Sequence, residues 1–360
     1  MDYKSYFDIP NDITYLNTPG NGLMPRTHYQ WRQTRDTEFF EVRTDLRDQQ
    51  GSFITSVKEE FANLFGCVRA NLYALPNFSF GLHTLLNGLP KNLKYAILED
   101  DYPSLNYPII SRKLDYVKIR VNANLEENIL DCIRKNQVDV LLLSVVQYIN
   151  GMKVDLEFIK QLKADLPDLI IIGDATQYLG TEVFNFADSG FDVVGGSGYK
   201  WLMAGFGNGY MMISEQVKSL LYSEAQQGER PKEAMWSTKS ILDTFFEPGH
   251  QDTLSHGTLL QSVRFLSELG LQNIQEYLFE LNKYAYTRFE ERGLILGDIS
   301  KRKVKLSLIN LQIDPIHYSL LLENGIKCFP RGTGIRIGLH LYNTKHDVDK
   351  LIEVLAKIDK

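Results

Sequence analysis

The sequence has little cysteine, no long hydrophobic run and no excess of positive charge. Its three cysteines, Cys67, Cys132 and Cys328, lie far apart and form no CxxC pair. This pattern favours reduced thiols and predicts no metal site. The longest apolar runs, such as residues 169–172, are far too short to span a bilayer. The first residues contain no apolar stretch followed by a cleavage site, so we expect a cytoplasmic protein.

The charge balance is acidic, with 45 Asp and Glu residues against 39 Lys and Arg residues and a net charge of -6. A nucleic-acid backbone is bound by a concentrated positive field, so this balance argues against nucleic acid as the partner. With 44% hydrophobic and 23% charged residues, the 360-residue chain has ordinary globular composition. Its length allows one large domain and a smaller one. We therefore expect a small-molecule ligand, with no nucleic-acid and no membrane partner.

Short apolar runs alternate with amphipathic segments through the first two thirds of the chain. Strands are predicted at 95–98, 138–146, 169–172 and 192–194, and helices at 52–65, 80–89, 126–135 and 155–164. Buried apolar strands that alternate with helices are typical of βαβ units, whose parallel sheet is covered by helices on both faces. The fold class is therefore predicted to be α/β with a mostly parallel sheet.

The pattern of predicted helices and strands changes after Gly249. A long helical stretch is predicted at 259–292, a strand at 304–313 and an amphipathic helix at 347–358. This order is typical of a smaller α+β domain at the C-terminal end of the chain. We predict an N-terminal arm at 1–25 that belongs with the small domain, a large domain at 26–250 and the small C-terminal domain at 251–360.

The segment 171–213 carries the most informative polar residues. A predicted strand ends at Asp174, and a second one leads into Ser197-Gly198-Tyr199-Lys200. In open α/β sheets, ligands bind beyond the carboxyl ends of the strands. Asp174 and Lys200 are therefore expected at one edge of the sheet, where a carboxylate and an amine could address opposite sides of one flat ligand.

These residue types match the chemical needs of pyridoxal phosphate. A lysine amine forms a Schiff base with the cofactor aldehyde and moves the substrate's α-proton. A carboxylate keeps the pyridine nitrogen protonated, so that the ring can act as an electron sink. A phosphate is bound by backbone N–H groups, small residues and hydroxyls. Gly and Ser residues at 195–198 precede the lysine, and residues 77–81 predict a helix N-terminus elsewhere.

The segment SGYKWLMAGFGNG resembles the Schiff-base lysine motif of class V aminotransferases, which are fold-type I pyridoxal-phosphate enzymes. Cysteine desulfurases, kynureninases and isopenicillin N epimerase-like proteins belong to the same group. DATQ, whose Asp174 lies 26 residues before Lys200, resembles a second element of that family. Further segments follow the family's order along nearly the whole chain: YLNTPGNGLMP, ALPNFSFGLHTLLNGL, LEDDYPSLNYPI and IRIGLHLYNTKHDVDKL. The resemblance implies a large domain with a seven-stranded, mostly parallel sheet between helices.

The resemblance also implies roles for individual residues. Lys200 and Asp174 would be the catalytic pair, with Asp174 at the ring nitrogen. The other implied cofactor contacts are Phe78, Ser79, Tyr102, Gln177, Ser197, Tyr199 and His250. Among these, Tyr102 would stack on the ring and Gln177 would contact the phenolic oxygen. Simpler interpretations stay open at this stage, because Ser79 also fits a helix cap and Gln177 an ordinary loop residue.

The implied substrate contacts are Arg336, Tyr148 and Asn17. Arg336 would bind the substrate α-carboxylate through a bidentate pair. Arg331 could be a second substrate contact or a solvated loop residue. His250 falls where relatives reach the phosphate site of a neighbouring subunit, so it implies a homodimer with shared active sites, although an ordinary turn histidine fits equally well.

The reaction that the resemblance favours is transamination of an amino acid or amine. Cysteine desulfurases need a nucleophilic cysteine on a loop, whereas Cys328 is predicted to end a strand, where a thiol is usually a buried apolar group. Desulfurase activity is therefore disfavoured. A lyase acting by C–S or other β/γ-elimination and an amino-acid epimerase stay open, because they would use the same residues. A non-catalytic cofactor-binding protein is the weakest alternative.

Overall fold

The computed structural model describes residues 2–41, 45–230, 232–233, 236 and 239–357. Its strands are β1 (Thr14–Tyr15), β2 (Leu72–Leu75), β3 (Lys94–Leu98), β4 (Asp115–Ile119), β5 (Val140–Ser144), β6 (Ile170–Asp174), β7 (Val193–Ser197), β8 (Gly209–Ile213), β9 (Leu308–Leu311), β10 (Ile326–Lys327), β11 (Phe329–Arg331) and β12 (Gly334–Gly338). Its helices are α1 (Arg26–Phe40), α2 (Leu46–Leu64), α3 (Phe78–Gly88), α4 (Pro103–Ser111), α5 (Leu125–Asn136), α6 (Leu156–Asp165), α7 (Glu215–Leu220), α8 (Ser223–Gln227), α9 (Ile241–Phe246), α10 (Thr253–Leu269), α11 (Leu271–Glu290), α12 (Gly297–Ser300), α13 (Tyr318–Glu323) and α14 (Lys345–Leu355).

A seven-stranded sheet forms the centre of the molecule, in the order β2-β8-β7-β6-β5-β3-β4. Neighbouring strands from β7 to β4 run parallel, and β8 is antiparallel to both β7 and β2. Because both faces are covered, every residue of β5, β6, β7 and β8 is buried. The predicted α/β fold with a mostly parallel, seven-stranded sheet is confirmed.

The two faces of the sheet pack against different helices. In β5, Leu141 and Leu143 belong to the core cluster that includes α2, α5, α6 and α10. Val140 and Leu142, on the opposite face, belong to the cluster that includes α3, α4 and α9. Side chains alternate between faces along a strand, so a strand buried on both faces reads as a continuous apolar run. That is the physical reason why the strands could be recognised in the sequence.

A smaller antiparallel sheet, in the order β11-β12-β9, lies in the C-terminal part of the chain. The N-terminal residues join this part, because β1 pairs in parallel with β10 and Asn17 forms a bridge to Gly338. Helix α10 packs against α1 and α2 of the preceding region. The division of the chain into 1–25, 26–250 and 251–360 stays a prediction.

Several predicted boundaries were wrong. The helical stretch 259–292 is two helices, α10 and α11, which are separated at Gly270, where a φ of 79° ends the first helix. The strand predicted at 304–313 is formed over Leu308–Leu311 alone. The C-terminal helix begins at Lys345 and ends at Leu355, and Ile358 lies outside the described residues. Within the described parts of the chain, no helix is both long and apolar enough to cross a membrane.

Candidate active site

The predicted site residues meet at the carboxyl edge of the large sheet. Strand β6 ends at Asp174, which pairs with Gly195 of β7, and β7 ends three residues before Lys200. A cavity of about 330 Å³ opens at this edge. It is lined by Asn77, Phe78, Ser79, Tyr102, Ser144, Val146, Tyr148, Asp174, Thr176, Gln177, Ser197, Tyr199 and Lys200. Its volume falls within the range of small-molecule and cofactor sites, about 300–1,000 Å³.

The Lys200 amine is buried and has no hydrogen bond or ion pair with any described residue. Its Nζ lies 5.7 Å from the ring centre of Tyr102 and 5.5 Å from that of Tyr199. Burial lowers the pKa of Lys200, and repulsion by Arg336 and Arg331 lowers it further, whereas attraction to Asp174 opposes the change. A lysine that loses its proton readily is a competent nucleophile towards a carbonyl carbon.

The Asp174 carboxyl forms the other charged group of the cavity. Its Oδ1 accepts a hydrogen bond of 2.8 Å from the backbone N–H of Thr176. Burial raises the pKa of Asp174, while the hydrogen bonds from Thr176 and the Lys200 charge act in the opposite direction. A cationic group on a ligand, such as a protonated ring nitrogen, would therefore stabilise this carboxylate.

One end of the cavity has the features of an anion site. Helix α3 begins there, and its N-cap is Asn77, whose Oδ1 accepts a hydrogen bond of 2.9 Å from Phe80 N–H. The Phe78 N–H donates to Ser197 Oγ at 3.0 Å. The Ser79 N–H and hydroxyl have no partner within the described residues, so Ser79 is not the cap. Free donors at a helix N-terminus, beside a second serine hydroxyl, suit a phosphate.

Two tyrosines form an aromatic wall of the cavity. The rings of Tyr102 and Tyr148 pack edge to face, with centres 5.2 Å apart and planes at 80°. The Tyr102 N–H donates to Asp101 Oδ1 at 2.7 Å, and Asp101 also accepts from the Ser144 N–H at 2.8 Å and hydroxyl at 2.6 Å. Asp101 thereby attaches the turn before α4 to the end of β5. Sequence reasoning missed this residue, although its buried position directly before Tyr102 gives it a clear role.

The Gln177 amide lines the cavity and is held at both ends. Its Oε1 accepts a hydrogen bond of 2.8 Å from the Trp201 indole, and its Nε2 donates to Pro19 O at 3.0 Å. One of the two Nε2 hydrogens is still available to a ligand. Trp201, which the sequence analysis did not select, therefore orients Gln177, and the N-terminal residues reach the site through Pro19.

Arg336 lies on β12, which comes from the small sheet. It is buried, and its Nη1 donates to Tyr148 O at 2.7 Å, whereas its Nε has no hydrogen-bond partner among the described residues. Burial lowers the pKa of Arg336 to about 10, and repulsion by Arg331 adds to this effect. A buried guanidinium with unused donors and no carboxylate partner in the described structure is suited to an anionic ligand.

Three predicted site residues are not among those that line this cavity: Arg336, which reaches its wall through Tyr148, and His250 and Asn17. His250 is exposed, and its Nδ1 lies 3.3 Å from Gln50 Oε1 in a different surface cavity. Asn17 pairs through its backbone with Gly338, and its side chain packs against Gly20. A role for His250 across a subunit interface and a substrate contact by Asn17 both stay predictions.

The cysteines lie outside the cavity. Cys328 is buried between β10 and β11, and burial raises its pKa to about 12. Burial also raises the pKa of Cys67 and that of Cys132. Because the thiolate is the reactive form, these three thiols are poor nucleophiles. The expectation that Cys328 is a small buried group is confirmed.

A larger cavity of about 820 Å³ lies away from the sheet edge, beside α2 and α9. Its lining is polar, and its buried charges are already paired: Lys58 lies 2.9 Å from Glu247. Glu247 in turn accepts a hydrogen bond of 2.7 Å from Ala74 N–H. Size alone therefore does not identify the functional site, whereas unpaired reactive groups do.

Comparison with known proteins gives consistent relatives. Residues 111–351 match the family model described as aminotransferase class-V. A probable cysteine desulfurase of Ureaplasma parvum is 21% identical over 397 residues, which cover 100% of this chain and 98% of the relative. The apo structure of a cysteine desulfurase from Thermococcus onnurineus has a TM-score of 0.84 at 16% identity and covers 99% of this chain and 97% of that chain. Ureidoglycine-glyoxylate aminotransferase from Bacillus subtilis has a TM-score of 0.75 at 17% identity, with 98% and 95% covered.

Proposed function

Since the chain belongs to the class-V aminotransferase family of pyridoxal-phosphate enzymes, we propose that it is an aminotransferase whose cofactor is bound covalently by Lys200. The observation that carries this proposal is the buried Lys200 amine, which has no hydrogen bond to any described residue and shares a cavity with Asp174. A buried amine without a partner is unfavourable in a purely structural role, because burial penalises its charged form. A ligand with a carbonyl group would react with this amine.

The donor groups of the cavity fit pyridoxal phosphate. The free N–H and hydroxyl of Ser79, together with Ser197, would bind the phosphate at the start of α3. Asp174 would face the ring nitrogen, and Tyr102 would stack on the ring. Gln177 would use its remaining amide hydrogen for the phenolic oxygen. Phe78 and Tyr199 would complete the cofactor wall.

When bound, pyridoxal phosphate supplies an electron sink for the bond that breaks at the substrate's α-carbon. The Lys200 Nζ accepts the α-proton and is the group that returns it, which a lowered pKa favours at neutral pH. The Asp174 carboxylate retains a proton on the ring nitrogen that faces it.

Arg336 would bind the substrate's α-carboxylate. Its Nη1 is engaged by Tyr148 O, and its Nε is unpaired, so the guanidinium is oriented before a substrate arrives. A preoriented guanidinium loses little freedom when it forms a bidentate pair. Asn17, which is paired with Gly338 two residues after Arg336, would support the same end of the site.

The composition of the cavity argues against a desulfurase. Neither cysteine nor histidine occurs among the described residues that line it, and Lys200 is the one amine in that set. A desulfurase would require a reactive thiol, which this set lacks. Transamination can use one amine for both proton movements.

We also propose a homodimer in which His250 reaches the phosphate site of the partner subunit. Its position on an exposed loop, outside the cavity of its own subunit, supports this arrangement. A purely monomeric species in gel filtration at working concentration would contradict it.

Borohydride reduction is the sharpest test of the lysine assignment. We expect reduction of the purified enzyme with pyridoxal phosphate to attach the cofactor irreversibly to the peptide that contains Lys200, as identified by mass spectrometry. Lys200→Ala should lose both the label and the visible absorption of the bound cofactor. Lys91→Ala, at an exposed lysine in a turn, is the matched control and should keep both.

The same preparation tests the reaction. Addition of an amino-acid pool should replace the visible band by that of the amine form of the cofactor and release a keto acid. Release of sulfide or ammonia with the visible band retained would indicate a lyase, and loss of optical purity alone would indicate an epimerase. Labelling of a different lysine would show that the central assignment is wrong.

A further inference from the structure

The β11–β12 hairpin carries two arginines on one face. In this antiparallel pair, Phe329 is opposite Arg336 and Arg331 is opposite Gly334. Residues directly opposite each other share a face, and residues two apart on one strand do as well. Phe329, Arg331 and Arg336 therefore project from the same face, and the hairpin presents an aromatic ring between two guanidinium groups.

Arg331 has no counterion. Its guanidinium carbon lies 4.8 Å from the centre of the Phe329 ring, and its side chain forms no hydrogen bond or ion pair with any residue that the structure describes. Phe329 and Arg331 are both exposed, whereas Arg336 on the same face is buried. The face thus runs from the buried Arg336 outwards to the exposed, unpaired guanidinium of Arg331.

The backbone of Arg331 is held against the segment that lines the cavity. The Asn310 Nδ2 donates both to Arg331 O at 2.9 Å and to Ile149 O at 2.8 Å. The next residue, Gly332, has a φ of 58°, and a Cβ there would lie 2.9 Å from Ile149 Cγ2. The turn after Arg331 therefore packs directly on the residue that follows Tyr148.

Both arginines are attached to the same wall of the site. Arg336 binds Tyr148 O at 2.7 Å, and Arg331 is tied to the neighbouring Ile149 through Asn310. The charge of Arg331 lowers the pKa of Arg336 and that of Lys200. The like charges of Arg331 and Arg336 repel each other. The arrangement is therefore most stable when anionic groups are bound to both guanidiniums.

On the basis of the proposed function, we propose that Arg331 binds a carboxylate on the substrate's side chain, so that the natural amino-acid substrate is acidic. The α-carboxylate occupies Arg336, and a second carboxylate pairs with Arg331. The Phe329 ring between the two guanidiniums contacts the methylene groups that separate the two carboxylates. Asn310 acts as a positioning residue, because it holds the Arg331 backbone and does not itself reach the substrate.

The test compares acidic amino acids with their uncharged amides. The holoenzyme is mixed with L-aspartate, L-asparagine, L-glutamate or L-glutamine, and kcat/KM is measured for loss of the visible cofactor band. We expect the better acid to exceed its own amide by about 10- to 100-fold, as for a hydrogen bond to a charged group. The preference should decrease as salt is added, because Arg331 is exposed and its field is screened.

Arg331 variants identify the residue responsible. Arg331→Gln should reduce the acid-to-amide ratio to within about threefold of unity, mainly through a higher KM for the acid. Arg331→Lys should restore part of the ratio, since it keeps the charge but loses the bidentate geometry. Arg134→Gln, which removes an exposed arginine from α5, is the matched control and should retain the wild-type ratio.

Two results would overturn the inference. One is a wild-type enzyme that uses the amides as well as the acids, and the other is an acid preference that survives Arg331→Gln. Either could occur while borohydride still labels Lys200 and neutral amino acids still react, so the proposed function would stand. Absence of the Lys200 label in the wild-type enzyme would instead contradict the proposed function, and with it this inference. Because the Arg331 side chain is exposed, circular dichroism should show an unchanged fold in its variants.

Discussion

The two halves of the cavity are constructed differently. The cofactor half consists of Asp174, Ser197 and Lys200, which lie within one short segment of chain, together with the start of α3. The proposed substrate half combines three distant segments: the N-terminal residues 17–22, the loop 147–150 and the β11–β12 hairpin. Of the described residues in these segments, only Tyr148 lines the cavity, and the others lie behind it. The first half is attached to the ends of neighbouring strands, whereas the second is held by contacts between segments that are far apart in the chain.

Hydrogen bonds between distant segments hold the proposed substrate half together. The Gly22 N–H donates to Tyr199 O at 2.8 Å, Asn17 pairs with Gly338, and Arg336 donates to Tyr148 O at 2.7 Å. A parallel sheet buried on both faces resists displacement, whereas segments joined by one or two hydrogen bonds can shift. We therefore expect the cofactor half to determine the type of reaction and the substrate half to determine which substrate is used.

The largest expected effect separates kcat from KM. Asp174→Asn should lower kcat by about 10²- to 10³-fold, as for loss of a preorganised charge at the reacting centre. Arg336→Gln should lower kcat/KM by about 10- to 100-fold, chiefly through KM, because a charged hydrogen bond to the substrate is lost. Steady-state kinetics with a saturating amino donor measures both parameters. Equal effects of both variants on kcat would remove the distinction between the two halves.

The N-terminal residues pack closely against the backbone of Lys200. A Cβ at Gly22 would be 2.0 Å from Lys200 O, whereas at Gly51, within α2, it would meet nothing within 4 Å. Gly22→Ala should therefore destabilise the protein by about 1–3 kcal/mol, and it should raise KM because the substrate half shifts. Gly51→Ala, the control, should stabilise the protein by about 0.5–1 kcal/mol.

Thermal unfolding and kinetics of the two glycine variants are the measurements. If Gly22→Ala behaved like Gly51→Ala in both, the close approach of the N-terminal residues to Lys200 would not describe the protein in solution. If Gly22→Ala raised KM without lowering stability, the contact between Gly22 and Lys200 O would affect substrate binding but not the stability of the fold.

A further expected effect is the pH dependence of the apoenzyme's stability. The pKa of Lys200 is lowered from 10.5 to about 7, first by burial and then by Arg336 and Arg331, with Asp174 opposing. Between these values the unfolded chain binds a proton at Lys200 that the folded chain does not. The free energy of unfolding should therefore rise with pH in this interval, by at most about 1.4 kcal/mol per unit.

Lys200→Met removes this contribution. We expect the difference in unfolding free energy between wild-type and variant apoenzyme to shift in favour of the wild type from pH 7 to pH 9, as measured by urea unfolding. Titrating groups that do not interact with Lys200 are common to both proteins and cancel in the difference. Asp174 does not cancel, because the Lys200 charge lowers its pKa, so Asp174→Asn is introduced into both proteins. A difference that is constant with pH would mean that the amine is protonated throughout this range.

The cofactor half could be predicted well from the sequence. The apolar runs before Asp174 and Lys200 identified two strands, and the edge at which parallel strands end followed from the fold class. The serines and the start of α3 were also found in the cavity as expected. The sequence allowed Ser79 to be the helix cap, whereas the hydrogen bond from Phe80 N–H identifies Asn77 as the cap.

The substrate half was harder to predict. Asp101 and Trp201 position Tyr102 and Gln177, but an acidic residue in a turn and a tryptophan in a glycine-rich segment have no distinctive pattern. Arg331 was visible in the sequence without a reason to prefer it over a solvated residue. Its significance depends on strand register and on the Asn310 bridge, which join residues about 20 and 160 positions apart.

The sequence by itself determined the strand pattern, the α/β class and the segment that carries Asp174 and Lys200, because local apolar periodicity and neighbouring polar residues encode them directly. Only the tertiary structure decided that Arg336, Arg331 and the Tyr148 loop share one wall and that the N-terminal residues lie against the lysine. These facts depend on packing between segments that are far apart in the chain, and no local pattern records which distant surfaces come into contact.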